Sequence, residues 1–309
     1  MTKAAASLQR PRHDSSGRDA AAFVCLKPHH TDCSPLLQQP ASRNAPFLHH
    51  CDRNMMKLRD LENALQEVRV FESPIAELEQ YPTSAHLASQ VVHMMDSTFD
   101  DIHGKAVCDL GCGTGMLAIA AALSGSPFVL AVDVDPSAVT IAAENAKNTG
   151  VADEMQFCLA DIIDGEFLSA HPKRKPFDTV ILNPPFGTKR KGVDIAFLQT
   201  AMQVSGGAVY SMHKTSTRPY ILKKAKQWGA DAKVLAELKF DVGRMYQFHK
   251  SNTVDIEVDF WRIDASCIQD DAQFEPVHVA PPDKIPHPSP GRFPISTRRK
   301  GRRKHPNRR

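Results

Sequence analysis

The run Val180-Ile181-Leu182-Asn183-Pro184-Pro185-Phe186-Gly187 carries the residue types with the clearest chemistry. Phe177 to Leu182 reads as a buried parallel strand, so Asn183 falls at a strand's C-terminal end, where ligands bind in open α/β sheets. Two successive prolines fix φ and remove two backbone donors, which leaves a rigid turn rich in carbonyl acceptors. Pro184 also drives Asn183 toward an extended conformation. An amide oxygen and a bare carbonyl can then accept the two hydrogens of an exocyclic NH2, and Phe186 can stack on the ring that bears it.

Asn183-Pro184-Pro185-Phe186 resembles the signature of S-adenosylmethionine-dependent amino methyltransferases, which modify adenine N6, cytosine N4 or a glutamine amide. The elements upstream fit that resemblance. Ala106 to Leu110 reads as a short buried strand ending in Asp109-Leu110, followed at once by Gly111-Cys112-Gly113-Thr114-Gly115 and a helix from Met116. No Gly-Lys-Ser/Thr follows, which excludes a phosphate-cradling P-loop. Met116 occupies the slot of the third glycine in the dinucleotide pattern. Asp109 to Met116 instead looks like motif I of S-adenosylmethionine methyltransferases, where glycines let the backbone approach the cofactor closely. The next strand, Phe128 to Asp133, ends in a carboxylate suited to both ribose hydroxyls. Asp135 reads as a helix cap. Met155 to Leu159 is the third strand, and the resemblance places the cofactor's adenine against Asp161 and Ile162 just beyond it.

Two helices precede the sheet, one carrying Leu58, Leu61, Leu65 and Val68, the other capped by Ser84 and carrying Leu87, Val91, Met94 and Met95. In the methyltransferase fold such helices form a lid, so Gln80 and Thr83 in the loop between them are candidate cofactor contacts. Downstream, Ala208 to Met212 and Val234 to Phe240 read as strands. Val254 to Phe260 alternates strictly, which predicts a half-exposed antiparallel strand. The expected fold is α/β: a Rossmann-like class I methyltransferase with a seven-stranded, mostly parallel sheet, an antiparallel last strand and an N-terminal helical lid.

Charge is divided along the chain. Its 309 residues carry a formal +3, yet residues 298–309 hold eight Lys or Arg and no acid, leaving −5 before them. Residues 56–264 contain 21 basic and 27 acidic side chains, a net of −6, so the folded part has no general attraction for nucleic acid. Lys189-Arg190-Lys191 is a small basic cluster beside the proline turn. Residues 1–55 lack hydrophobic periodicity and read as a disordered extension, with His29-His30 and His49-His50 as solvated loop residues. Met56 is a possible alternative start. Residues 265–309 read as a Pro-rich disordered tail ending in the basic run, an RNA arm or a nuclear address. Seven cysteines without a CxxC pair read as reduced thiols, neither a disulfide frame nor a zinc site. No secretory signal and no run of about 18 apolar residues is present, so neither export nor a membrane is expected.

Glu79-Gln80-Tyr81-Pro82-Thr83, the proline turn through Lys189, Ser211-Met212-His213-Lys214 and Phe248-His249-Lys250 with Val254 to Val258 together resemble one subfamily. It is the eukaryotic and archaeal methyltransferase-like group that methylates an adenine N6 in small-subunit ribosomal RNA. The resemblance covers residues 56–264. With the basic tail pointing to a nuclear or nucleolar as well as a cytoplasmic location, the resemblance implies S-adenosylmethionine as cofactor without a metal and catalysis by Asn183, Pro184, Pro185 and Phe186. It also implies a small zinc-binding activator protein as partner. In the usual strand order Met155 to Leu159 lies at the sheet edge with no charge or proline to guard it, so the activator is expected there by strand addition. The rival readings are a glutamine-amide N5 methyltransferase and a catalytically idle RNA-binding scaffold.

Overall fold

A computed structural model describes Val24–Cys25 and residues 56–169, 175–241, 255–268 and 274–281. Each apolar run of four to six residues becomes a strand because its side chains alternate between two helical layers. Val129 and Ala131 of β3 (Phe128–Asp133) face one core cluster, whereas Leu130 and Val132 face the other. The first cluster packs under α1 (Leu58–Gln66), α2 (Ala85–Phe99), α3 (Met116–Leu123) and α4 (Pro136–Asn148). The second packs under the single turn α5 (Glu166–Ser169), α6 (Val193–Val204) and α7 (Arg218–Gln227).

The remaining strands are β1 (Val24–Cys25), β2 (Ala106–Leu110), β4 (Met155–Leu159), β5 (Phe177–Leu182), β6 (Ser205–Lys214), β7 (Asp231–Asp241) and β8 (Asp255–Asp264), and the sheet order is β1-β4-β3-β2-β5-β6-β8-β7. Strands β2 to β6 run parallel, and β8 runs antiparallel between β6 and β7. Chain progression turns around at β2: β3 and β4 lie to one side, β5 and β6 to the other. A crevice opens at such a reversal. Leu110 and Leu182 are in register across the β2–β5 pair, so Gly111 and Asn183 leave the sheet side by side.

The expected class I sheet is present, with three differences. Strands β6 and β7 start three residues earlier than their apolar runs, because the flanking polar residues also join the ladder. Strand β8 is not half-exposed, since Asp259 is completely buried. Burial would raise its carboxyl, but Arg218 and Thr215 bond both of its oxygens at 2.7–2.8 Å and hold it below the ordinary range. Third, the β4 edge carries little apolar side-chain surface, because Met155, Phe157 and Cys158 are buried in the two clusters. What β4 leaves open is backbone, and β1 pairs antiparallel with Cys158 and Leu159. Apart from β1, the expectations for residues 1–55 lie outside the described residues, as do Phe248-His249-Lys250 and the basic run at 298–309.

Candidate active site

The crevice is a cleft of about 1190 Å³ including its mouth. Gly111, Cys112, Gly113, Thr114 and Met116 form one wall, Asp133 and Asp161–Ile163 a second, and Glu77–Thr83 a third; Asn183 and Pro185 stand at the end. The loop after β2 is folded by backbone bonds from Gly111 and Cys112 N–H to the Val132 carbonyl, at 2.8 and 2.9 Å. Gly111 has φ +75°, and a Cβ there would lie 2.9 Å from the Phe197 ring. Asp133 is clamped by its neighbours: the Gly113 N–H donates to Oδ2 at 2.8 Å and the Asp135 N–H to Oδ1 at 2.9 Å. Burial pushes this carboxyl up to about 6, against the pull of those amides toward the charged form. Asp109 also lines the cleft, 1% exposed, with Oδ2 accepting from the Ala118 N–H at the start of α3 and Oδ1 without a partner. Burial raises its carboxyl to about 7, against the lowering pull of the Ala118 bond.

Asp161 and Ile162 both line the cleft, although Asp161 Oδ1 also closes its own turn by accepting from the Ile163 N–H. Gln80 lines the cleft with its amide already engaged at both ends. Its Oε1 accepts from the Ile75 N–H at 2.8 Å, and its Nε2 donates to Asp135 Oδ2 at 2.7 Å. Asp135, read from sequence as a cap alone, therefore also ties the lid loop to the β3–α4 turn. Gly115 differs from its neighbours in not lining the cleft. At φ +87° it lets α3 meet α4, where a Cβ would sit 3.1 Å from that of Ala142.

The proline turn is held by the lid loop through successive contacts that run antiparallel to it. Asn183 Nδ2 donates to Thr83 Oγ1 at 3.1 Å, Tyr81 packs on Phe186 with centroids 6.1 Å apart and planes 19° apart, and the Lys189 N–H donates to Glu79 Oε1 at 2.8 Å. Glu79 makes this reach from a left-handed conformation, φ 51°, and its buried Oε2 has no partner. Thr83, expected on the cofactor, thus touches the Asn183 amide. The expectation that Phe186 presents a free face needs correction: it is 5% exposed, covered by Tyr81 and met edge-on by Phe240 at 5.9 Å. Pro184 is also buried, and neither it nor Phe186 lines the cleft. No hydrogen bond to the Pro184 carbonyl is made among the described residues. Behind the turn, Ser211 Oγ meets His213 Nε2 at 2.6 Å, and His213 Nδ1 lies 3.6 Å from Asp194.

This arrangement matches what similarity reports. A family profile described as ribosomal protein L11 methyltransferase (PrmA) matches residues 83–183, from Thr83 to Asn183. The chain is 46% identical over 212 residues to the rRNA N(6)-adenosine-methyltransferase Mettl5 of Drosophila melanogaster, which covers 68% of this chain and 97% of that one. The Danio rerio METTL5 is 46% identical over 209 residues, covering 67% and 98%. The chain belongs to the Mettl5 family. Among solved structures, a candidate RNA methyltransferase, PH1948 from Pyrococcus horikoshii, superposes with a TM-score of 0.57 at 32% identity, covering 68% of this chain and 96% of that one. About a third of the present chain therefore has no counterpart in these Mettl5 relatives.

Sequence reasoning singled out the loop after β2, Asp133, Asp161 and the proline turn, which the fold brings to one cleft, but missed how the lid meets them. Tyr81 and Glu79 belonged to a recognised segment, yet no pattern along the chain reveals that this segment lies against residues about a hundred positions later. Phe71 and Phe197, which also line the cleft, were missed because single aromatics at helical spacing read as core.

Proposed function

We propose that this chain transfers the methyl group of S-adenosylmethionine to the N6 amine of an adenosine in small-subunit ribosomal RNA. The observation that carries the reading is the setting of Asn183: its amide N–H is bonded to Thr83, so Oδ1 is left as the acceptor at the end of a cleft walled by Asp133 and Gly113. Membership of the Mettl5 family supports both the reaction and the substrate. S-adenosylmethionine supplies an electrophilic sulfonium methyl when bound, and the residues present fit it. Asp133 has a carboxylate aimed by two backbone amides, Gly113 removes the Cβ that would obstruct close approach, and Ile162 offers an apolar wall. The chain's own task is alignment. Asn183 Oδ1 accepts an amine hydrogen, which localises the nitrogen lone pair toward the methyl and acts mainly in the transition state. Since Tyr81 covers Phe186, the base gains that ring only as Tyr81 withdraws. Unstacking the nucleotide is the accompanying cost.

The test separates the two ends of the cleft. Asn183→Ala is expected to lower single-turnover methylation by about 10²-fold or more while leaving calorimetric S-adenosylmethionine affinity unchanged. Asp133→Ala is expected to weaken that affinity. Near-normal turnover in Asn183→Ala removes the assignment. Methyl transfer to a protein glutamine, or none at all with cofactor bound, would instead support the amide-methyltransferase or the scaffold reading.

The partner in this reading is a small zinc-binding activator that adds a strand at the β4 edge. The support is the backbone of β4, where among the described residues β1 engages only Cys158 and Leu159. Strand addition needs backbone rather than exposed apolar side chains. The basic run at residues 298–309 serves as the nuclear or nucleolar address of a protein that also resides in the cytoplasm. Imaging a fusion that lacks the run checks this, and unchanged nucleolar signal contradicts it.

A further inference from the structure

The basic cluster Lys189-Arg190-Lys191 follows the proline turn, and two remote segments hold its backbone in place. On one side Glu79 Oε1 accepts the Lys189 N–H at 2.8 Å. On the other lie residues 274–281, whose composition reads as a loose tail. They are packed down instead: Phe274 meets Trp228 at 5.7 Å, and Val277 and Val279 pack against the second core cluster. From there the Ala280 N–H donates to the Lys191 carbonyl at 3.1 Å. The His278 carbonyl lies so close over Gly192 that a Cβ there would be 2.5 Å from it. Arg190 is the one Lys or Arg among the described residues that line the cleft, where Glu77, Glu79, Asp109, Asp133 and Asp161 also stand. It pairs with none of these acids. Its Nε donates to the Ala280 carbonyl at 3.4 Å, and among the described residues both Nη groups are without a partner. The Lys189 and Lys191 side chains are exposed and likewise make no ion pair among the described residues.

We infer that Arg190, flanked by Lys189 and Lys191, binds the phosphodiester that adjoins the target nucleotide. This rests on the reading of RNA as substrate. Three adjacent cations without an acidic partner, in a body with a net of −6 over residues 56–264, are placed for an anion from outside. The guanidinium suits a phosphate in particular, because its Nη pair offers two parallel N–H bonds to two oxygens of one group. The Ala280 carbonyl occupies Nε and so leaves that end of the fork as the free one. Lys189 and Lys191 add charge without fixing a direction. Holding the loop from two sides lowers the ordering cost of binding. Asn183 and Arg190 line the same cleft, so one nucleotide can place its base at the first and its phosphate at the second. Such a phosphate contact sets the position of the strand and leaves the choice of base to the cleft.

Binding and methylation of a small-subunit ribosomal RNA fragment by the full-length protein test the inference. Arg190→Gln is expected to raise KM for the RNA about ten-fold, the loss of one charge-assisted contact, and to affect kcat much less. The slope of log affinity against log salt should become shallower by about 0.7, the value for one phosphate on a single strand. Arg190→Lys keeps the charge but loses the fork, so the salt slope should return while KM stays raised. Calorimetric affinity for S-adenosylmethionine should be the same in all three proteins. Ala280→Pro removes the N–H that holds Lys191 and should raise KM in the same direction; if that variant misfolds, the two substitutions at Arg190 decide. An unchanged KM and salt slope in Arg190→Gln overturn the inference. A loss of cofactor affinity in Arg190→Gln also overturns it, because the guanidinium would then serve the carboxylate of S-adenosylmethionine. Failure of the RNA reading looks different, since the unsubstituted protein would itself leave the fragment unmethylated.

Discussion

At the scale of single residues, the Asn183 amide is orientated by one hydroxyl. Asn183 could present either its oxygen or its NH2 to the cleft, and the Thr83 Oγ1 acceptor decides between them. Thr83→Val removes that acceptor at nearly constant volume. Single-turnover rate at saturating cofactor and RNA should fall about ten-fold, the size expected when an aligned hydrogen bond is removed, while Thr83→Ser should retain most of the rate. Failure of Ser to rescue would mean that Thr83 matters only for packing. The cofactor wall makes a second prediction, in pH. Asp133 and Asp109 have carboxyls raised by burial to about 6 and about 7, so both gain charge as pH rises through that window. A cationic ligand binds the ionised forms better, so S-adenosylmethionine affinity should tighten between about pH 5.5 and 7.5, with proton release on binding visible by calorimetry in buffers of different ionisation heat. For folding the sign is opposite. The native state holds these protons longer than the unfolded chain, so stability contributed by the pair falls as pH rises from about 4 to 7. Asp109→Asn should flatten that fall in thermal unfolding followed against pH. An affinity constant across the window would show that the two carboxylates do not face the cofactor's charge.

At the scale of elements, the parts legible in the sequence are those whose signal is local. The strand ending at Asp133 and the cap at Asp135 followed by Pro136 each announce themselves within a few residues, and each lies where expected. The proline turn was legible for the same reason, since two prolines dictate backbone geometry without help from elsewhere. Elements that depend on remote partners were not. Asp259 reads as the solvent face of an alternating strand, because the Arg218 that neutralises it lies 41 positions earlier. Phe186 reads as a free stacking ring until the lid loop brings Tyr81 onto it. The β4 edge reads as an apolar hazard, although the flanking layers bury Met155 and Phe157 and only the backbone remains open. Strand β1 leads to an element-scale prediction. Removing residues 1–55 frees Cys158 and Leu159, so the truncated chain should bind the activator more tightly than the full chain, and in its absence should associate at lower concentration in analytical ultracentrifugation. Equal affinity with and without residues 1–55 would mean that β1 does not compete for the edge.

At the scale of the whole molecule, the sheet reversal at β2 brings two unrelated chemistries side by side: the carboxylate wall after β2 and β3, and the amide turn after β5. The lid loop 77–83 spans both, bonding Asp135 on one side and Asn183 on the other. A single chain segment therefore touches both the β3–α4 turn and the proline turn at the two ends of one cleft. Residues 274–281 add a late segment of the chain to the same rim. The claim on which all of this depends is the identity of the methylated atom, and one measurement addresses it directly. Purified protein is incubated with S-adenosylmethionine and a small-subunit ribosomal RNA fragment, and the RNA is digested for nucleoside mass spectrometry. The account predicts one new N6-methyladenosine per fragment, absent with Asn183→Ala. A methyl group found on cytidine, or on protein and not on RNA, would contradict it.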